Sequence, residues 1–160
     1  MDGNYIKIMI ESLQNKIAVL DEIIIKNDDQ TKILNQDEVD WDLFDKNADE
    51  KLELIDRMDK LDEGFERLFE KIKELIGTEE GKRAYAQQIR TMQNQISLIT
   101  EKSVSIQAVE ARNKQLVEQK FSQSHKRLGQ SRNTSRVAMD YYKNMQQTQV
   151  VTPAFLDSKK

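Results

Sequence analysis

From Tyr5 to about Leu34, large apolar residues recur at Ile6, Ile10, Leu13, Ile17, Leu20 and Ile24, in alternating steps of four and three. Such spacing returns side chains to one face of an α-helix, so it predicts a helix over 5–34 with a single apolar stripe. Met9, Ile23 and Ile25 widen the stripe, and the helix is expected to touch two neighbours rather than one. The pattern fades through Asn27, Asp28, Asp29 and Gln30, and residues 35–40 read as a connection. A second helix is predicted over 42–76, where Asp40 or Asp42 supplies a capping carboxylate and Trp41, Leu43 and Phe44 form an apolar knot. Its stripe continues through Leu52, Ile55, Met58, Leu61, Phe65, Leu68, Phe69, Ile72, Leu75 and Ile76. Gly77 is expected to close it in the left-handed conformation, with Thr78 capping a third helix over 79–125. So short a connection permits only an antiparallel hairpin.

The third stripe runs through Tyr85, Ile89, Met92, Ile96, Ile99, Ile106, Val109, Leu116, Val117 and Phe121, and Gln88, Gln95, Ser103 and Asn113 dilute it. Polar residues in a seam fix register while lowering stability, so packing is expected to loosen over 103–125. Residues 126–136 are polar and poor in helix formers and read as a hinge. The fold class that follows is all-α: an elongated antiparallel bundle of three long helices over 1–125, the hinge, and a flexible C-terminal tail over 137–160 containing a short amphipathic helix.

Composition agrees with long amphipathic helices, since 38% of the 160 residues are hydrophobic, 33% are charged, and one Pro and five Gly leave long stretches unbroken. No cysteine is present, which removes disulfides and thiolate chemistry and fits a reducing cytoplasm. No apolar run reaches the roughly 18 residues a bilayer span requires, and the first residues are acidic rather than basic. Neither membrane insertion nor a cleavable signal is therefore expected. Charge is divided unevenly: residues 1–80 carry 23 acids and 11 bases, residues 81–160 carry 5 acids and 14 bases. Complementary helices packing along one another account for this. A nucleic-acid surface is not expected, because the bases are dispersed and no aromatic platform lies among them.

Few residues suggest chemistry. Asp45, Asn47 and Asp49 match the start of a calcium-binding loop, but Glu50 stands where such a loop needs Gly, and Asp56 where it needs a bidentate Glu. Residues 77–82 resemble a phosphate loop only faintly, with two acids where phosphate would lie. His125 is the only histidine and has no cysteine or second histidine with which to build a metal site or a dyad. Neither an enzyme nor a bound metal or cofactor is expected.

The tail differs from the rest. Val137, Met139, Tyr141, Tyr142, Met145, Val150, Val151, Phe155 and Leu156 put large apolar side chains on a segment too short to bury them alone. Either the tail docks on its own bundle or it forms a partner-binding surface, and the second reading is preferred. With these features in view, the chain resembles the FlgN-type flagellar export chaperones. The resemblance is carried by residues 51–65 (KLELIDRMDKLDEGF), by residues 111–116 (ARNKQL), by Tyr141-Tyr142 and by residues 155–160 (FLDSKK). It implies a cytoplasmic chaperone that binds hook-associated proteins of the hook-filament junction and prevents their assembly before type III export. The partner would be a terminal amphipathic helix of the cargo, received by the C-terminal region in a helix-in-groove mode. Export-apparatus components are a further class of partner the resemblance allows. A chaperone of the filament cap protein and a structural coiled-coil adaptor unrelated to secretion are the alternatives.

Overall fold

A computed structural model describes the backbone of residues 2–128 and the side chains of residues 3–123. This part of the chain is almost entirely helical, with no strand among the described residues: α1 spans Asp2–Leu34, α2 Trp41–Gly77, α3 Glu79–Ala84 and α4 Ala86–Leu128. Four helices stand where three were expected, because the third span is interrupted at Tyr85 (φ −114°, ψ 25°). α1 starts ahead of the predicted Tyr5, and α4 runs on through residues 126–128 of the expected hinge. Residues 129–136 and the predicted tail lie outside the described residues.

The helix starts follow from local chemistry. Asp40 rather than Asp42 caps α2: its Oδ1 accepts from the Leu43 N–H at 3.2 Å and its carbonyl from Phe44 at 3.0 Å. At the next connection Thr78 is extended (φ −81°, ψ 158°), and its hydroxyl accepts from Gly81 N at 2.9 Å while donating to the Leu75 carbonyl at 2.7 Å. One hydroxyl thus serves both an orphan donor of α3 and an orphan acceptor of α2. Gly77 closes α2 without entering the left-handed region, contrary to expectation. The glycine this turn demands is Gly81. A Cβ on Gly81 would stand 1.8 Å from the Leu75 carbonyl oxygen, whereas one on Gly77 would meet nothing within 4 Å.

The described chain forms two compact units, and α1, α2 and α4 each contribute a segment to both. Unit 1 contains residues up to 20 and 57–103. Its core is apolar: Ile6, Met9, Leu13, Ile17 and Leu20 of α1 are buried, as are Met58, Phe65, Ile72 and Ile76 of α2 and Met92, Ile96 and Ile99 of α4. Burial of such side chains, at about 1.5–3 kcal/mol each before entropy is charged, holds this unit together. Polar ties cross it as well, among them Ser12 Oγ donating to the Leu61 carbonyl at 3.3 Å. Lys16 reaches Asp62 at 2.5 Å, and Gln95 Nε2 donates to the Ile10 carbonyl at 3.1 Å.

Among the described residues, unit 2 contains 21–56 and 104–128. Ile23, Leu34, Trp41, Phe44, Ala48, Leu54, Ile55, Ile106 and Val117 are buried in it. Ties from Lys26 to Glu50 and from Gln30 to Asn47 make α1 and α2 run oppositely here. Leu43, assigned by the sequence to an apolar knot, is 51% exposed, and Ile25, expected to widen the stripe, is 61% exposed. Both sit one position off the inward face, so their helices turn them to water.

Gly81→Ala is expected to lower thermal stability by about 1–3 kcal/mol, because the backbone at Leu75 must move to admit the methyl group. Gly77→Ala, with open space and no left-handed backbone, should instead be neutral or stabilise by up to about 1 kcal/mol. Thermal unfolding followed by circular dichroism distinguishes the two.

Candidate functional site

The one concentration of buried polar groups among the described residues lies inside unit 2. It is built from Asn27, Gln30 and Thr31 of α1, Asn47 and Lys51 of α2, and Glu110 and Asn113 of α4. These residues fall at steps of three and four within the inward stripes: 27-30-34 on α1, 44-47-51 on α2, and 106-110-113-117 on α4. Helical periodicity alone therefore points them into the interior.

Gln30 is the hub. Its Nε2 donates to Asn47 Oδ1 at 3.1 Å, while its Oε1 accepts from Lys51 Nζ at 3.3 Å and from Asn113 Nδ2 at 3.0 Å. Asn47 Nδ2 turns back to the Lys26 carbonyl at 2.9 Å, and Thr31 Oγ1 meets Asn113 Oδ1 at 2.9 Å. At the centre Lys51 makes a short ion pair with Glu110. Lys51 is 0% exposed and Glu110 6%. Burial pushes the Lys51 ammonium down to about 8 from its ordinary 10.5, and the neighbouring Glu110 carboxylate opposes that shift. Charge complementarity between the two halves of the sequence suggests basic residues of 81–160 meeting acids of 1–80. This pair joins them the other way round, with the lysine from the acidic half.

Such an arrangement sets geometry rather than performs a reaction. Nothing reaches the Lys51 amine from solvent, and each helix presents its polar group to a specific partner on another, so a shift of any helix along its axis would strand a charge in the core. Residues 45–56, matched to a calcium loop in part, lie within α2, where Asn47 and Lys51 turn inward and Glu50 pairs with Lys26 at 3.1 Å. No group of three His, Cys, Asp or Glu among the described residues could hold a metal ion. No helix among them is long and apolar enough to cross a membrane.

A second cluster sits in the same unit, on the part of α4 nearest the C-terminus. Trp41 and Phe121 stack with ring centroids 4.2 Å apart and planes 12° from parallel, and Phe44 meets Trp41 edge-on at 5.4 Å. Lys120 Nζ donates to the Gln36 carbonyl at 3.2 Å. These interactions fix the last described turns of α4 to the α1–α2 connection.

All the residues singled out for partner binding, Val137, Met139, Tyr141, Tyr142, Met145, Val150, Val151, Phe155 and Leu156, lie outside the described residues. The polar layer, in turn, is not what the apolar pattern predicts, since Asn27 to Gln30 look like the end of a stripe and Lys51 like part of a charged face. A signal for it exists in the chain: Glu110 shares the inward face with Asn113, one of the polar residues that dilute the third stripe. Comparison with family models, with curated proteins and with solved structures finds no match.

Removing one partner of a buried pair leaves the other charge uncompensated, so Glu110→Ala is expected to destabilise by about 3–5 kcal/mol, whereas Lys51→Met combined with Glu110→Leu should be neutral or stabilise by about 1–4 kcal/mol. The pH dependence follows from Lys51. Its folded pKa, about 8, lies below the 10.5 of the unfolded chain, so between these values the unfolded state holds more protons. The penalty is fully present below about pH 8, and the contribution of Lys51 to stability rises from there towards pH 10.5. Urea denaturation across that window should show a rise in the wild type relative to the double variant.

Proposed function

We propose that the chain is a cytoplasmic export chaperone of the FlgN type, an elongated antiparallel helical bundle that offers its C-terminal tail, residues 137–160, to a hook-associated protein of the hook-filament junction. The observation that carries the reading is a contrast along the chain. The described helices bury most of their apolar stripes in two cores, and a further set of large apolar residues, from Val137 to Leu156, follows them in the sequence. The resemblance in residues 51–65, 111–116, 141–142 and 155–160 supplies the kind of partner.

In this reading the bundle is a scaffold and the tail a gripping element. A cargo helix whose apolar stripe would otherwise drive early assembly is covered by Val137, Met139, Tyr141, Tyr142 and Met145, with Val150, Val151, Phe155 and Leu156 extending the interface. Five to nine such side chains contribute a gross term of about 10–20 kcal/mol, of which ordering the tail removes a large part. Affinity in the range of about micromolar to nanomolar follows.

Isothermal titration of the purified chain with purified hook-filament junction protein tests this. The full chain should bind with a Kd of about 1 μM or tighter, and a variant ending at residue 136 should bind at least about 100-fold more weakly with unchanged helical content. Equal affinity of the two, or no binding by either, contradicts the proposal. Binding of the filament cap protein in place of the junction protein would transfer the reading to the sister class of chaperone.

A further inference from the structure

α4 closes the two units by different means. In unit 1 it buries Met92, Ile96 and Ile99 with one polar residue, Gln95, among them. In unit 2 it buries Ile106, Glu110, Asn113 and Val117, so polar and apolar side chains share the interface equally. The closed form of unit 2 also holds polar atoms away from any partner: both side-chain amide atoms of Asn27, a residue only 2% exposed, are buried with no hydrogen bond. Separation of α4 would return Asn27, Lys51, Glu110 and Asn113 to water. Rehydration of these groups offsets much of the cost of exposing Ile106 and Val117. What opposes separation most directly is the Trp41–Phe121 stack.

We infer that residues 104–128 of α4 open from α1 and α2 of unit 2 as one cooperative step, with the polar layer around Glu110 as the line of separation and the Trp41–Phe121 stack as its clasp. The step belongs to the free chain and stands apart from the export reading, so either can fail without the other. Local opening of this kind draws on the low-stability end of a structure, where little apolar burial holds a segment.

Hydrogen exchange of the full-length protein at neutral pH, read by mass spectrometry, tests the inference. Amides of residues 106–121 should exchange at least about tenfold faster than those of 92–101, and Lys51→Met with Glu110→Leu should slow the first group about tenfold while leaving the second unchanged. Equal protection of the two segments in the wild type, or equal slowing of both in the variant, overturns it. A second readout needs no variant. Trp41 is the only tryptophan, so in a urea titration its fluorescence should change before helical ellipticity is lost, and coincident transitions overturn the inference as well.

Discussion

Removing an ammonium and a carboxylate from water is tolerable only where each finds the other, and in unit 2 Lys51 and Glu110 impose that condition on three helices at once. Gln30 converts the pair into a layer by bonding to Asn47, Lys51 and Asn113, so that α1, α2 and α4 are tied at one level. Apolar stripes alone would allow neighbouring registers of similar energy. A slipped register here buries a lysine against methyl groups, and the fold is specified by what it must avoid.

The two units accordingly rest on different physics. Unit 1 depends on Met9, Phe65, Ile72, Met92 and their neighbours, a core whose stability follows from area removed from water. Its turn depends on a single hydroxyl, that of Thr78, and on the absence of a side chain at Gly81. Unit 2 gives up part of its apolar core to a polar layer, and gains a defined arrangement together with a lower barrier to opening.

Much of this architecture is legible in the spacing of large apolar residues. The stripes at Ile6, Leu13, Ile17 and Leu20 and at Met58, Phe65, Ile72 and Ile76 are buried where their periodicity puts them. The Thr78 cap is readable because a hydroxyl followed by acids marks a helix start. Features decided by tertiary packing escape such a reading. Asn27 and Gln30 look like the end of a stripe because their types favour the surface; partners on α2 and α4 receive the Gln30 side chain inside, while the Asn27 side-chain amide is buried with no hydrogen bond. Lys51 reads as part of a solvated face until Glu110 is found opposite. Local rules place the demand of the turn on Gly77, whereas the close approach of the Leu75 carbonyl, set by how α2 meets α3, places it on Gly81. Hydrophobicity credits Leu43 and Ile25 to the core, but both lie on the outward side of their helices.

The buried pair on which unit 2 depends can be observed directly by heteronuclear NMR of the lysine side-chain amines as pH is raised. The Lys51 Nζ signal should titrate near 8, and its protons should exchange slowly with water. A Lys51 amine titrating at its ordinary 10.5 with the rapid exchange of a surface lysine would contradict the account.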